Sequence, residues 1–326
     1  MILRMSFFSL LVIADPEAPF LKFLSPSPEN LSIIISNDVN ELRANASKAD
    51  AILYAYLDAA LLANVLPLAS RLRWIHCLWT GVEGILVPEL LAHPAPLTNG
   101  RGAFKGPLAD WVIAVMLFFA FDLRRVIRQQ EQVVWEPFIG DALKGRTLGI
   151  VGYGAIGSAA ASRARTFGMN IAALRRRQEL FEGDTTVDRS YSPPQLKELM
   201  AASDYLLVTT PLTAATRGMI GEAEIAAMKS TSVIINVGRG PVIDEAALVR
   251  ALESGRIRGA ALDVFNTEPL PSDHPFWRLQ NVLLSPHTAD RVQGFLEPAF
   301  ECFFENLGRF INGRPLLNVV DKAAGY

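Results

Sequence analysis

Several polar residues in the second half of the chain stand just past apolar runs, and their types are those of proton and anion chemistry. SVIINVGRGPVID carries Arg239, GAALDVFNTEPLP carries Asp263 and Glu268, and NVLLSPHTAD carries His287. An arginine can hold a carboxylate, an imidazole can give and take a proton near neutral pH, and a carboxylate beside it can orient it. If the apolar runs are parallel strands, these residues follow the carboxyl ends, where open α/β sheets bind ligands. Each also has a plainer reading. Arg239 between glycines would cap a turn, Glu268 before Pro269 would be surface loop, and His287 would be a satisfied strand-end histidine.

A glycine pattern points to the partner such a site would need. TLGIVGYGAIGSAA places Gly152, Gly154 and Gly157 in G-x-G-x-x-G spacing, after an apolar run and before helix-forming residues. The first glycine permits a tight turn, the second lets a pyrophosphate approach the backbone, and the third lets helix and strand pack closely. In that context the pattern predicts a dinucleotide site, the alternative being a glycine-rich turn with no ligand. The next apolar run ends in IAALRRRQ. An NAD-preferring site carries Asp or Glu there for the ribose hydroxyls. This chain has Arg175, Arg176 and Arg177. Guanidinium groups bind a 2′-phosphate that a carboxylate would repel. NADP(H) is therefore the expected cofactor, with Arg175 and Arg176 as phosphate contacts and Arg177 solvated. NAD(H) is the alternative if the arginines form a solvated loop.

Positioning these residues takes two alternating β/α segments. In the first hundred residues, strands are expected at 10–14, 31–36, 51–56, 72–78 and 97–99, with helical stretches at 40–49 and 59–69 and a surface turn at 25–30. Pro107 is expected to open a helix reaching about Gln132. Further strands are expected at 147–151, 170–174, 205–208, 232–237, 260–264 and 281–284, and a last helix at 295–311 that completes the first domain. The fold class is α/β with two doubly wound parallel-sheet domains. A Rossmann-type cofactor domain takes residues 100–289; a flavodoxin-like substrate domain takes 1–99, completed by 290–326.

Composition excludes several classes. Of 326 residues, half are hydrophobic and a fifth are charged, the balance of a chain with sizeable cores. A net charge of −2 gives no global field for nucleic acid or acidic lipid. The two cysteines, Cys77 and Cys302, cannot form a framework and suggest a reducing, cytoplasmic setting. His76, His93, His274 and His287 lack metal-ligand spacing, so no metal is expected. The apolar run 111–121 is short of the roughly 20 residues that span a bilayer. Residues 1–14 share an arginine and an apolar stretch with secretory leaders, but SLLVIAD is followed by LSIIISND and ADAILYAY, which read as successive strands of one sheet. Neither a membrane nor a nucleic-acid partner is expected.

Taken in order from about Leu72 to His287, LRWIHCLWTGVEGI, GPLADWVIAVML, TLGIVGYGAIG, TTPLTAATRGMI, VIINVGRGPVIDEAAL, ALDVFNTEPLP and SPHTA carry a family likeness. The chain resembles the D-isomer-specific 2-hydroxyacid dehydrogenases, which include glyoxylate and hydroxypyruvate reductases. The resemblance implies hydride transfer between a nicotinamide cofactor and a small 2-keto or 2-hydroxy acid in an interdomain cleft. It implies His287 as general acid/base, Glu268 as its hydrogen-bond partner, and Arg239 as the group gripping the substrate carboxylate and carbonyl. Backbone amides near Gly81, Val82 and Glu83 resemble the loop that binds the substrate carboxylate. Asp263 resembles the residue contacting the nicotinamide carboxamide, and Ala155, Ile156, Thr210, Pro211, Thr216, Val237 and Gly238 fall on cofactor-lining positions. The segment 111–132 resembles the family's dimerisation region, so a homodimer is expected.

The likeness has departures. Asp290 and Arg291 follow SPHTA where the family commonly has a small residue, and an acid there disfavours an anionic substrate unless Arg291 neutralises it. Glu83 replaces a more common Asp. Trp135 in VVWEPF resembles an aromatic that glyoxylate/hydroxypyruvate reductases contribute across the dimer; a packed interface residue is the plainer reading. Glyoxylate or hydroxypyruvate is the expected substrate. A D-lactate- or phosphoglycerate-type dehydrogenase, or a non-catalytic dinucleotide-sensing protein of the corepressor type, is the alternative.

Overall fold

The three central strands of the first sheet are apolar runs too short for a helix and buried along most of their length, which is the signature of a parallel sheet covered on both faces. A computed structural model describes residues 7–25, 28–56 and 59–326, the side chain of Leu180 apart. The leader-like reading of residues 1–14 falls outside this description at 1–6, and the turn expected at 25–30 falls outside it at 26–27.

The chain divides into two compact units, Met1–Phe104 with Gln293–Tyr326, and Lys105–Val292. The sequence had suggested boundaries at 99/100 and 289/290. Phe104 stays with the first unit because its ring packs on Trp79 and Phe295.

In the first unit, β1 (Phe8–Ile13), β2 (Leu31–Ser36), β3 (Ala51–Tyr54), β4 (Trp74–Cys77) and β5 (Leu97–Asn99) form a parallel sheet in the order β2-β1-β3-β4-β5. That is the flavodoxin-like order. Helices α1 (Val39–Ala46), α2 (Ala59–Val65) and α3 (Pro88–Ala92) connect the strands. Asp38 caps α1 by accepting from the Asn40 and Glu41 amides.

The second unit opens with α4 (Lys105–Ala120) and α5 (Leu123–Glu131). One helix was expected from Pro107 to Gln132. Two form, bent by 63°, because Asp122 takes a left-handed backbone conformation and its side chain caps α5 at the Arg125 amide. Among the described residues, no single helix is long and apolar enough to cross a membrane. The sheet that follows contains β6 (Thr147–Val151), β7 (Asn170–Leu174), β8 (Arg189–Tyr191), β9 (Tyr205–Val208), β10 (Val233–Asn236), β11 (Gly259–Leu262) and β12 (Val282–Leu284), ordered β12-β11-β10-β9-β6-β7-β8 and all parallel. The strand order reverses at β6/β9, the switch point where Rossmann sheets bind dinucleotides. The edge strand β8 has no apolar run to announce it. Its RSY is held by pairing with β7 rather than by burial of every residue. Helices α6 (Ala155–Thr166), α7 (Leu196–Ala202), α8 (Glu222–Ala227) and α9 (Glu245–Glu253) are the connections, and α10 (Glu297–Ile311) returns to the first unit, where Phe303 stacks on Trp74.

Beside that stack lies His76, fully buried on β4, with Nδ1 2.8 Å from the Thr98 hydroxyl and Nε2 without a hydrogen-bond partner among the described residues. Burial pulls its pKa from 6.5 down to about 3. The unfolded chain therefore binds a proton that the folded unit refuses, and stability present above pH 6.5 is lost as pH falls toward that lower value. The slope should approach about 1.4 kcal/mol per pH unit in that window. Urea unfolding at neutral and mildly acidic pH measures it, and His76→Gln should abolish this share of the slope.

Candidate active site

Register makes the site. Val151 pairs with Leu174 on one side and with Val208 on the other, while Asn236 pairs with Leu262, and Leu262 with Leu284. The strands thus end at a common level, and the residues that follow each of them line the carboxyl edge of one sheet. Those residues are the glycine loop, the arginines, Thr209 to Thr216, Val237 to Arg239, Asp263, and Ser285 to His287.

The glycine loop fits a dinucleotide. Gly152 has φ +96°, and a Cβ there would lie 2.6 Å from the Thr210 backbone nitrogen, so only glycine makes the turn. A Cβ on Gly157 would lie 2.9 Å from Ile150 Cγ2, so the third glycine sets how closely α6 lies on β6. A Cβ on Gly154 would meet nothing within 4 Å, which leaves open space where a pyrophosphate would approach. Gly154 is the N-cap of α6 and the first turn carries no acid. The amides of Ala155, Ile156 and Gly157 lack intrahelical acceptors, and the positive end of the helix favours an anion.

At the end of β7, Arg175 lies over two rings, 5.7 Å from the Tyr153 centroid and 5.3 Å from that of Phe181, and those rings are 5.5 Å apart. Burial, and then a hydrogen bond with Asp184, push the Tyr153 hydroxyl up from its ordinary value. Burial works against ionisation of Asp184, but the Thr186 amide and the Tyr153 hydroxyl hold its carboxyl below the ordinary value. A guanidinium resting against two rings in this way is pre-positioned rather than free to sample solvent. Tyr153 and Phe181 escaped the sequence reading, although an aromatic inside the glycine motif was visible.

Past β9, the Thr209 hydroxyl donates to the Gly152 carbonyl at 2.6 Å and ties this loop to the glycine turn. The Thr216 hydroxyl donates to the Pro211 carbonyl at 2.6 Å and accepts from the Thr213 amide at 2.8 Å. Thr216 is therefore a brace of the Pro211–Thr216 loop, whatever else it touches.

Past β10, the buried Asn236 shapes the turn that presents Arg239. Its Oδ1 accepts from the Gly238 amide at 3.0 Å and its Nδ2 donates to the Arg239 carbonyl at 3.1 Å. Arg239 is half-buried, and its Nη1 donates to the Gly238 carbonyl at 2.7 Å. A buried asparagine ending an apolar strand was the available signal for this brace.

His287 and Glu268 form the pair expected of them. Imidazole Nδ1 donates to Glu268 Oε2 at 2.7 Å, while Glu268 Oε1 accepts from the Phe265 amide at 2.9 Å. This fixes the tautomer and leaves Nε2 as the nitrogen that can carry a transferred proton. The His287 side chain is 49% exposed, so protons can be exchanged with solvent. Its backbone sits at φ +53°, a conformation costing a non-glycine residue about 1–3 kcal/mol. Asp263 maintains it. The Asp263 carbonyl accepts from the His287 amide at 2.9 Å, and its Oδ1 accepts from the Ser285 hydroxyl (2.6 Å), the Thr288 amide (2.9 Å) and the Ala289 amide (3.1 Å). With 2% exposure, Asp263 is first of all the anchor of the histidine turn.

Asp290, the departure after SPHTA, sits on the same turn. Burial, reinforced by the Asp263 carboxylate, pushes its carboxyl above the ordinary value, while its own amide, His287 and Arg291 pull the other way.

In the first unit, Gly81, Val82 and Glu83 follow β4 at the carboxyl edge of that sheet. The Asn99 side-chain Nδ2 donates to the Thr80 carbonyl at 2.6 Å, and the Ile85 backbone amide closes a turn on the Val82 carbonyl at 2.9 Å. Among the described residues, no group of three or more His, Cys, Asp or Glu side chains is gathered to hold a metal.

A family model for the NAD binding domain of D-isomer specific 2-hydroxyacid dehydrogenases matches residues 113–289. The chain belongs to this family. Among relatives of this 2-hydroxyacid dehydrogenase, a glyoxylate reductase of Korarchaeum cryptofilum is 38% identical over 267 residues, covering 80% of this chain and 79% of that one. A glyoxylate/hydroxypyruvate reductase B of Salmonella schwarzengrund is 37% identical over 78% of this chain and 80% of that one. Among solved structures, an NADPH-dependent glyoxylate/hydroxypyruvate reductase of Sinorhizobium meliloti in complex with NADP and sulfate superposes with a TM-score of 0.85 at 26% identity, over 98% of this chain and all of that one. The dehydrogenase is thus an NAD(P)-dependent oxidoreductase with two parallel-sheet domains.

Proposed function

We propose that this 2-hydroxyacid dehydrogenase works as an NADPH-dependent reductase of small 2-keto acids, glyoxylate and hydroxypyruvate foremost. The observation that carries the reading is the His287–Glu268 pair on the same sheet edge as the dinucleotide loop. The names of the relatives support the substrate class.

When bound, the cofactor supplies a hydride to the carbonyl carbon of the keto acid. His287 Nε2–H, on the imidazolium, gives the proton to the carbonyl oxygen, and the neutral imidazole keeps its Nδ1–H on Glu268. Arg239 holds the carboxylate and faces the oxygen on which negative charge develops. The amides near Gly81, Val82 and Glu83 hold the carboxylate as well. Asp263, with Val237 and Gly238, borders the nicotinamide. Gly152, Gly154, Ala155, Ile156 and Gly157 hold the pyrophosphate, with Thr210, Pro211 and Thr216 lining the same path. Incubation with NADPH and a panel of 2-keto acids, followed by chiral analysis, tests the assignment: a D-2-hydroxy acid should form wherever the product has a stereocentre. An L-product or none would reject it.

NADPH preference rests on Arg175 and Arg176, with Arg175 held over Tyr153 and Phe181. Two charge-assisted contacts of about 1.5–3 kcal/mol each imply that Arg175→Ala with Arg176→Ala raises the Kd for NADPH by about 10²-fold or more and leaves NADH nearly unchanged. Fluorescence titration with both cofactors reads this directly. An unchanged NADPH affinity would make the arginines a solvated loop.

The homodimer remains part of this reading. Val133, Trp135 and Ile139 are 92%, 94% and 99% exposed beyond α5, and a second copy covering them would account for apolar side chains that a lone chain leaves in water. Trp135 is then available to the partner's substrate site.

A further inference from the structure

The loop that delivers Glu268 is held at both ends by one carboxylate on α9. Glu245 is the first residue of that helix, next to its N-cap Asp244. Glu245 Oε2 accepts from the Asn266 amide at 3.3 Å, and Oε1 accepts from His274 Nε2 at 3.2 Å. Between those two contacts run Thr267, Glu268 and the turn through Pro271. The pair is largely buried, with side-chain exposures of 17% for His274 and 22% for Glu245.

His274 is itself fixed. Its Nδ1 accepts from the Phe276 amide at 3.3 Å, which leaves that nitrogen unprotonated and places the proton on Nε2, where it meets Glu245. Its ring lies 4.6 Å from that of Phe276. At the other end, the consecutive amides of Phe265 and Asn266 go to the carboxylates of Glu268 and Glu245 respectively. The same dipeptide receives the arginine turn: a Cβ on Gly240 would lie 2.1 Å from the Phe265 carbonyl carbon and 2.6 Å from the Asn266 nitrogen. The turn carrying Arg239 therefore rests directly on the backbone that Glu245 clamps. One partly buried carboxylate braces the supports of Arg239 and of Glu268 together.

We propose that Glu245 and His274 are positioning residues for the reductive chemistry, a second histidine–carboxylate pair that sets the placement of Glu268 against His287 and the seat of the Arg239 turn. The inference rests on the reading of His287 as general acid. In this reading both residues act through Glu268 and the Arg239 turn. Loss of the clamp should leave the glycine loop and the arginine cluster intact, because those are built on β6, β7 and α6. It should impair proton delivery, because Glu268 would no longer be held at hydrogen-bond distance. Among the charged groups, Glu268 bonds the His287 imidazole, Asp263 holds its turn and Asp290 interacts with it electrostatically, and Glu268 is the one whose loop the clamp holds.

The test compares Glu245→Ala, Glu245→Gln, His274→Ala and His274→Gln in the full-length enzyme. Loss of a precise placement costs about 10- to 100-fold in kcat, so Glu245→Ala and His274→Ala should fall in that range while the Kd for NADPH stays close to that of the parent enzyme. The basic limb of the kcat/KM pH profile should also move to lower pH, as it must when the imidazolium loses its carboxylate, and a merely structural loss would not move it. The glutamine variants, which keep one of the contacts, should recover part of the rate. Parental kcat with an unmoved pH profile in either alanine variant would overturn the proposal, as would equal losses of turnover and cofactor affinity. Should Glu245→Ala fail to fold, His274→Ala and the glutamine pair decide by the same readouts. A fully active His287→Ala enzyme would instead remove the underlying reading, whereas an inactive one beside unaffected clamp variants would remove only the clamp.

Discussion

His287→Ala is expected to lower kcat on glyoxylate by about 10²- to 10⁴-fold, the usual worth of a positioned general acid. Cofactor affinity should hardly change, because the glycine loop and the arginines lie on other strands of the sheet. His287 is fixed at three places: its imidazole Nδ1 by Glu268, its backbone amide by the Asp263 carbonyl, and the two residues that follow by the Asp263 carboxylate. Such investment in one side chain, in a left-handed conformation that glycine would adopt more readily, is what a proton donor needs and a passive strand-end residue does not. Steady-state kinetics beside a cofactor titration measure both quantities. Full turnover in the variant would show that the proton comes from elsewhere.

Arg239→Ala should be as damaging in kcat/KM, by about 10³-fold, since it removes both the grip on the substrate carboxylate and the charge that meets the developing oxyanion. Arg239→Lys should restore only part of that loss. A lysine supplies the charge but not the planar fork that binds a carboxylate through two parallel hydrogen bonds. The split between parameters is informative: a rise in KM alone would confine Arg239 to binding, while a fall in kcat places it at the reacting carbonyl. Equal activity of the lysine and arginine enzymes would contradict the bidentate role.

Most of the two sheets was legible in the sequence because buried parallel strands are short apolar runs, and eleven of them could be seen between turn residues. The strands at 31–36, 97–99, 147–151, 170–174 and 205–208 have the expected limits. The edge strand Arg189–Tyr191 was not legible, since pairing with one neighbour holds a polar triplet that burial would not. Nor was the break at Asp122, where an apolar run continues across a residue whose backbone conformation and side-chain cap end one helix and begin another.

The site divides in the same way. Residues whose chemistry is unusual at the end of an apolar run, such as His287, Glu268, Arg239 and the arginines, declare themselves by type. Residues that place them do not, because a buried Asn236, an Asp263 turned into its own loop, or a Glu245 on a helix start looks like any polar residue until its partners are known. Asp263 shows the limit most plainly. The family resemblance gives it a cofactor contact, while its geometry gives it three bonds to the turn of His287.

The most direct test of NADPH-dependent 2-keto acid reduction is a steady-state comparison of NADPH and NADH oxidation with glyoxylate, hydroxypyruvate, pyruvate and phosphohydroxypyruvate. The geometry predicts a kcat/KM at least about ten-fold higher with NADPH than with NADH, as a single charge-assisted phosphate contact would give, with glyoxylate or hydroxypyruvate the best substrate. Equal or better rates with NADH, or a best substrate outside those two, would contradict it.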